Sequence, residues 1–129
     1  SLDRVRAVVQ PPVDLGQVIV FRDNERPVAF LSWAFFSEKA ERAYLNGDVL
    51  APSDWRSGNR CWCVEMVSLL PDGHGYRMAR KWLNSIPSHT NRVQTLRTKI
   101  GSDEVRHIVL ERENNRWGLG DVDMIQGIN

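Results

Sequence analysis

The alternation of periodicities along this chain predicts an α/β fold, one mixed and mostly antiparallel sheet flanked by helices. Three observations carry the prediction. Two β-rich runs, 17–22 and 26–36, are separated by "DNER", whose Asp and Asn tolerate tight backbone geometry, as in an antiparallel hairpin. A long apolar run, 60–70, leads through "PDGHG" into a basic, amphipathic segment, the signature of a covered strand followed by a helix. Two further β-rich runs, 92–99 and 104–112, follow. The predicted order is β–β–α–β–α–β–β.

Each element has a local reason. "SLDRVRAVVQPPVDLG" reads as a short helix tail or irregular arm that stops at Pro11 and Pro12. The segment 37–47 changes period: Ser37 can cap, Ala40, Ala43 and Tyr44 share a face, and Asn46-Gly47 closes the helix. A loop rich in Pro, Ser, Asp and Gly spans 48–59 and carries Trp55. Strict alternation along 60–70 puts Cys61, Cys63, Glu65, Val67 and Leu69 on one face, and Trp62, Val64, Met66, Ser68 and Leu70 on the other. In the helix 76–86, Ala79, Trp82, Leu83 and Ile86 form the apolar stripe, and Pro87 ends it. Residues 1–112 are expected to form a single domain, with 113–129 an irregular C-terminal arm of three glycines and no clear period.

Composition narrows the function. The length of 129 residues suits one domain that needs no disulfide or structural metal. A formal net charge of +1 offers no general affinity for nucleic acid or anionic membranes. No apolar run approaches the roughly 18 residues of a membrane span, and no leader pattern opens the sequence. Cys61 and Cys63, the only two cysteines, sit two apart on one strand, a poor geometry for a disulfide, so a reducing cytoplasmic setting is expected. With three scattered histidines and no further cysteine, no metal is expected.

Two features carry chemistry. Glu65 lies within a strand that reads as buried, where a bare carboxylate is costly. It could pair with Arg60, Arg92 or Arg97; it could meet solvent where the sheet splays; or it could orient or deprotonate a reacting group, since partial burial raises a carboxylate's pKa. The turn with Gly73 and Gly75 is either a plain strand-to-helix turn or a place where backbone N–H groups and the helix dipole meet an anionic ligand. Of His74, His89 and His107, only His74 stands at such an address.

Several stretches together resemble the RTX toxin-activating lysine acyltransferases. They are "LGQVIVFRDNERPVAFLSWAFFS", above all "PVAFLSWA"; then "DWRSGNRCWCVEMVSLLPDG"; then the following helix and "RVQTLRTK". Asp54, Trp55, Ser57, Gly58, Arg60 and Trp62 match the second block, and Asn59 stands where the family has aspartate. The resemblance covers roughly residues 5 to 110. It implies a GNAT-like fold and a protein-lysine fatty acyltransferase that moves an acyl group from acyl carrier protein to internal lysines of an RTX-type protoxin, in the cytoplasm and as a homodimer. The alternatives are a non-catalytic relative that binds carrier or toxin, and an acetyl-CoA-dependent GNAT.

In the family, an aspartate partners a catalytic histidine. Glu65 aligns with that aspartate, and the histidine's position falls shortly before the segment matching Ser1. Glu65, by this alignment, and His74, by its place in the glycine turn, are the expected catalytic residues. Gly73, Gly75 and Arg77, with Ser32 and Trp33 of the matched "SWA", are expected at the acyl donor. Arg77, Arg80 and Lys81 offer positive charge to an acidic carrier protein, or form a solvated helix face. Leu70 stands where GNAT enzymes place a basic or glutamine residue before the glycines, which fits a donor other than coenzyme A. No bound cofactor is expected beyond the acyl carrier protein thioester.

Overall fold

The structure, a computed structural model, describes residues 2–69, 74–98, 101 and 103–125, with backbone alone at 74–76 and 124–125. The chain runs α1 (Leu2–Asp14), β1 (Val18–Asp23), β2 (Arg26–Phe36), α2 (Glu38–Leu45), a 3₁₀ turn (Pro52–Trp55), β3 (Arg60–Ser68), α3 (His74–Leu83), β4 (Arg92–Thr98), β5 (Val105–Glu113) and β6 (Arg116–Ile125). The six strands form one sheet in chain order. All neighbours are antiparallel except β3 and β4, which α3 joins as a parallel crossover. This is the expected mixed, mostly antiparallel sheet flanked by helices, and it is consistent with a GNAT-like fold.

The sheet separates two cores. On one face Leu31, Cys61 and Val93 pack against Trp82, Leu83 and Ile86 of α3 and its exit. On the other, Ala34, Phe36 and Trp62 pack with Ala40 of α2 and with Trp55, while Val8 and Leu15 reach in from α1 and its exit. Both helical layers follow from local chemistry. The Ser37 hydroxyl accepts the Ala40 N–H as the expected N-cap of α2. In α3, buried Met78, Trp82 and Leu83 form the stripe, with Ala79 only half-buried.

Two expectations are corrected. Pro11 and Pro12 do not stop α1. Both rings are buried, and their carbonyls accept the N–H groups of Leu15 and Gln17, so the helix closes at Gly16, which has a φ of 69°. The tail is not an irregular arm over 116–125. Asn114 and Asn115, with φ of 53° and 63°, make a two-residue turn that returns the chain along β5 as β6. Trp117 anchors that return: its indole N–H donates to the Leu83 carbonyl at 3.1 Å, and the Arg112 guanidinium lies 4.8 Å from its ring centre.

The "DWRSG" loop is held against the end of β2. Ser57 and Gly58 donate backbone N–H groups to the Phe35 carbonyl, at 2.8 and 3.1 Å. A Cβ at Gly58 would fall 2.5 Å from the Phe36 carbonyl oxygen and 2.6 Å from the Ser37 Cα, both backbone atoms that cannot swing away. Gly58→Ala is therefore expected to lower the unfolding free energy by roughly 2–4 kcal/mol. Urea denaturation measures this, and a loss below about 0.5 kcal/mol would show that the loop is not pinned as described.

Candidate active site

The register between β2 and β3 shifts at one point. Ser32 pairs with Glu65, but Trp33 pairs with Cys63, so Val64 is an extra residue in β3. Strict alternation fails there. Met66 joins Cys61 and Cys63 on the α3 face, while Val64 lies with Trp62 on the α2 face. Glu65 accordingly faces α2, not the face it was expected to share with Cys61 and Cys63.

The bulge coincides with a fork. The parallel ladder between β3 and β4 covers Cys61–Val93, Trp62–Gln94 and Cys63–Thr95 and ends there, although β3 continues to Ser68 and β4 to Thr98. Glu65 stands just beyond the last paired position. A gap at the carboxyl ends of adjacent parallel strands is where open α/β sheets take ligands.

Glu65 is half-buried, and among the described residues its carboxylate has no ion pair or hydrogen bond, with Arg60, Arg92 and Arg97 all otherwise engaged or free. Burial raises its pKa above the usual carboxylate value. The Tyr44 phenol is raised too, first by burial and then by the Glu65 charge. Opposite Glu65, Ser32 is wholly buried and its hydroxyl has no hydrogen-bond partner. Directly opposed residues of an antiparallel pair point to the same face, with Cβ atoms roughly 5 Å apart. The two side chains thus project to the same face as neighbours.

A polar network that alternation in the sequence did not reveal fixes α2 over this place. Glu41 of α2 accepts from the Trp62 indole at 2.8 Å, from Gln94 Nε2 at 3.2 Å and from Arg60 at 3.0 Å. Because Gln94 donates its amide N–H to Glu41, its Oε1 accepts from His107, and Nε2 of His107 carries the hydrogen, at 2.8 Å. The His107 ring stacks on Trp62 at 5.3 Å, and Tyr44 meets the same indole edge-on at 5.3 Å. Its members come from four elements, α2, β3, β4 and β5, so only the fold unites them.

The other expected site residues are placed as follows. Trp33 packs on Trp82, ring centres 5.6 Å apart, as part of the α3 core. Arg77 is exposed on α3, and Gly75 lies in that helix's first turn. Gly73 lies outside the described residues, as does the His74 side chain. Cys61 and Cys63 are free thiols, both pushed up to about 12 chiefly by burial, which leaves them unreactive. Among the described residues no group of His, Cys, Asp and Glu is placed to hold a metal ion. No helix there is long and apolar enough to cross a membrane.

Glu65, half-buried and without an ion pair or hydrogen bond among the described residues, thus stands beside a fork of parallel strands. Residues 2–111 match the RTX toxin acyltransferase family, and the chain belongs to that family. It is 34% identical over 104 residues to the lysine-acyltransferase RtxC of Vibrio cholerae, covering 78% of this chain and 67% of that protein. It is 32% identical over 92 residues to the leukotoxin-activating lysine-acyltransferase LktC of a Pasteurella haemolytica-like species, covering 70% and 54%. With the protein-lysine myristoyltransferase HlyC of Escherichia coli it shares 37% identity over 76 residues, covering 57% and 44%. The matched segments thus span between 44% and 67% of the length of these curated relatives.

The raised carboxyl has a stability consequence. Burial favours the neutral form of Glu65, so its folded-state pKa exceeds the unfolded value, and ionisation at higher pH weakens the fold. Glu65→Gln is expected to raise the melting temperature at pH 7–8 by roughly 1–4 °C, a gain limited by partial solvent screening. The gain should vanish as pH falls below the ordinary carboxyl value of 4.5. A Gln variant less stable than the parent at neutral pH would mean that the carboxylate is compensated after all.

Proposed function

We propose that this chain is a protein-lysine fatty acyltransferase that moves an acyl group from acyl carrier protein to internal lysines of an RTX-type protoxin. Membership of the family supports the reaction class. The observation that carries the assignment of residues is Glu65, half-buried at the fork between β3 and β4 and without an ion pair among the described residues. In the reaction the lysine nitrogen attacks the thioester carbonyl, a C–N bond forms, the C–S bond breaks, and the carrier thiol leaves. The attacking ammonium must first lose a proton.

In this reading Glu65 receives that proton, directly or through an imidazole that it orients. Its elevated pKa makes it a better base than an exposed carboxylate. Ser32, its register partner, has a buried hydroxyl with no hydrogen-bond partner. The free thiols Cys61 and Cys63 suit a reducing cytoplasm.

Incubating the protein with fatty-acyl carrier protein and a protoxin fragment tests this reading by mass spectrometry. Acyl mass should appear on lysine, and Glu65→Gln should slow it by about 100-fold or more. No lysine acylation with any acyl carrier protein donor, or a Gln variant as fast as the parent, would refute it.

A further inference from the structure

The face of the sheet opposite Glu65 carries an arrangement that the acyl-transfer chemistry at that carboxylate does not use. Arg97 of β4 and Arg106 of β5 are direct register partners. Alternation along β4 puts Val93, Thr95 and Arg97 on the α3 face, since Gln94 and Leu96 face α2. Directly opposed residues on an antiparallel pair project to the same side, so two guanidinium groups stand together there. Like charges in that position repel and weaken the sheet.

Both side chains are exposed, and neither has an ion pair or hydrogen bond to a described residue. The acids of β6 cannot help: Asp121 and Asp123 pair with Val109 and His107, so neither stands opposite Arg106. Instead the two arginines, with Thr98 and Ile108, line a cavity of about 420 Å³. Among the described residues no carboxylate lines that cavity.

The cavity adjoins the fork. Arg97 lies two residues beyond Thr95, the last position at which β4 pairs with β3. Its charge reaches Cys63 on the opposite strand, where it favours the thiolate against the larger effect of burial. A ligand seated on the two arginines therefore lies on the α3 side of the opening, with Glu65 on the α2 side.

We propose that Arg97 and Arg106 form a binding site for a phosphate group, and that the group is the phosphodiester of the donor's pantetheine arm. Two forked guanidinium groups need an anion with several acceptor oxygens between them, which a phosphate supplies and a single hydroxyl or amide does not. The thioester end of the arm then extends from the arginines through the fork toward Glu65. Only the identity of the carrier rests on the acyl-transfer reading; the phosphate site stands on the register, the cavity and the two exposed guanidinium groups that line it.

Arginine side-chain NMR of the whole chain tests the site without turnover, using 4′-phosphopantetheine, pantetheine and an oligoglutamate peptide as probes. The Nε–H signals of Arg97 and Arg106 should move together with 4′-phosphopantetheine, which should bind at least about tenfold more tightly than pantetheine. Arg97→Gln and Arg106→Gln should each weaken that binding by about tenfold. In phosphate-free buffer Arg106→Gln should melt about 1–3 °C higher than the parent, because the repulsion is gone. Equal affinity for pantetheine, preference for the peptide, or signals moving at other arginines instead would overturn the proposal. If the phosphate probe binds as expected while lysine acylation fails, the site stands and the proposed function falls.

Discussion

The extra residue Val64 is the constraint on which the arrangement at the centre of the sheet depends. A two-residue repeat along β3 would send Glu65 into the core beneath α3, beside Cys63 and Trp82. The bulge reverses that parity for every later residue of the strand. Met66 takes the apolar position, and Glu65 turns toward Tyr44 on the other face. The carboxylate is thereby half-buried but not enclosed, a condition that raises its pKa without forcing it to find an ion pair.

The fork multiplies the effect of the bulge. Parallel pairing of β3 and β4 ends one position after Trp62, whose indole is tied to Glu41. Breaking that tie would leave a buried indole N–H unmet, at a cost of roughly 1–3 kcal/mol, while Glu41 would keep Gln94 and Arg60 as donors. The rigid lower half of the strand pair, held by Glu41, Gln94 and His107, thus supports an upper half whose two strands no longer bond each other. Across this opening the charges are sorted by face: an acid toward α2, and two arginines toward α3. Separation of this kind keeps Arg97 from neutralising Glu65.

Much of the frame was legible in the sequence because it rests on local chemistry. The hairpin strand Arg26–Phe36, the Ser37 cap, and the apolar character of β3 and α3 depend on neighbouring residues alone. Glu65 was legible as an anomaly for the same reason: one acid in an apolar run. Its face was not, because a bulge is a property of two paired strands and leaves no mark on the periodicity of either. The strand β6 was hidden by Gly118, Gly120 and a mixed pattern, yet it forms because Asn114 and Asn115 turn the chain and β5 supplies the ladder. The Glu41–Trp62–Gln94–His107 network joins residues from four elements, so no spacing within one segment could announce it. Ser32 was assigned to the site through the matched "SWA" motif; the register with Glu65 supplies a physical reason that the motif alone lacks.

The central claim is that an uncompensated acid stands at the opening between two diverging parallel strands. Carbon-13 NMR titration of the Glu65 side-chain carboxyl measures that directly. The account predicts a midpoint clearly above 4.5, displaced by desolvation alone and little changed when Arg97 is replaced by Gln. A midpoint at or below 4.5, or one that climbs when Arg97 is removed, would contradict it, because the carboxylate would then be held by a cation rather than left open to a substrate.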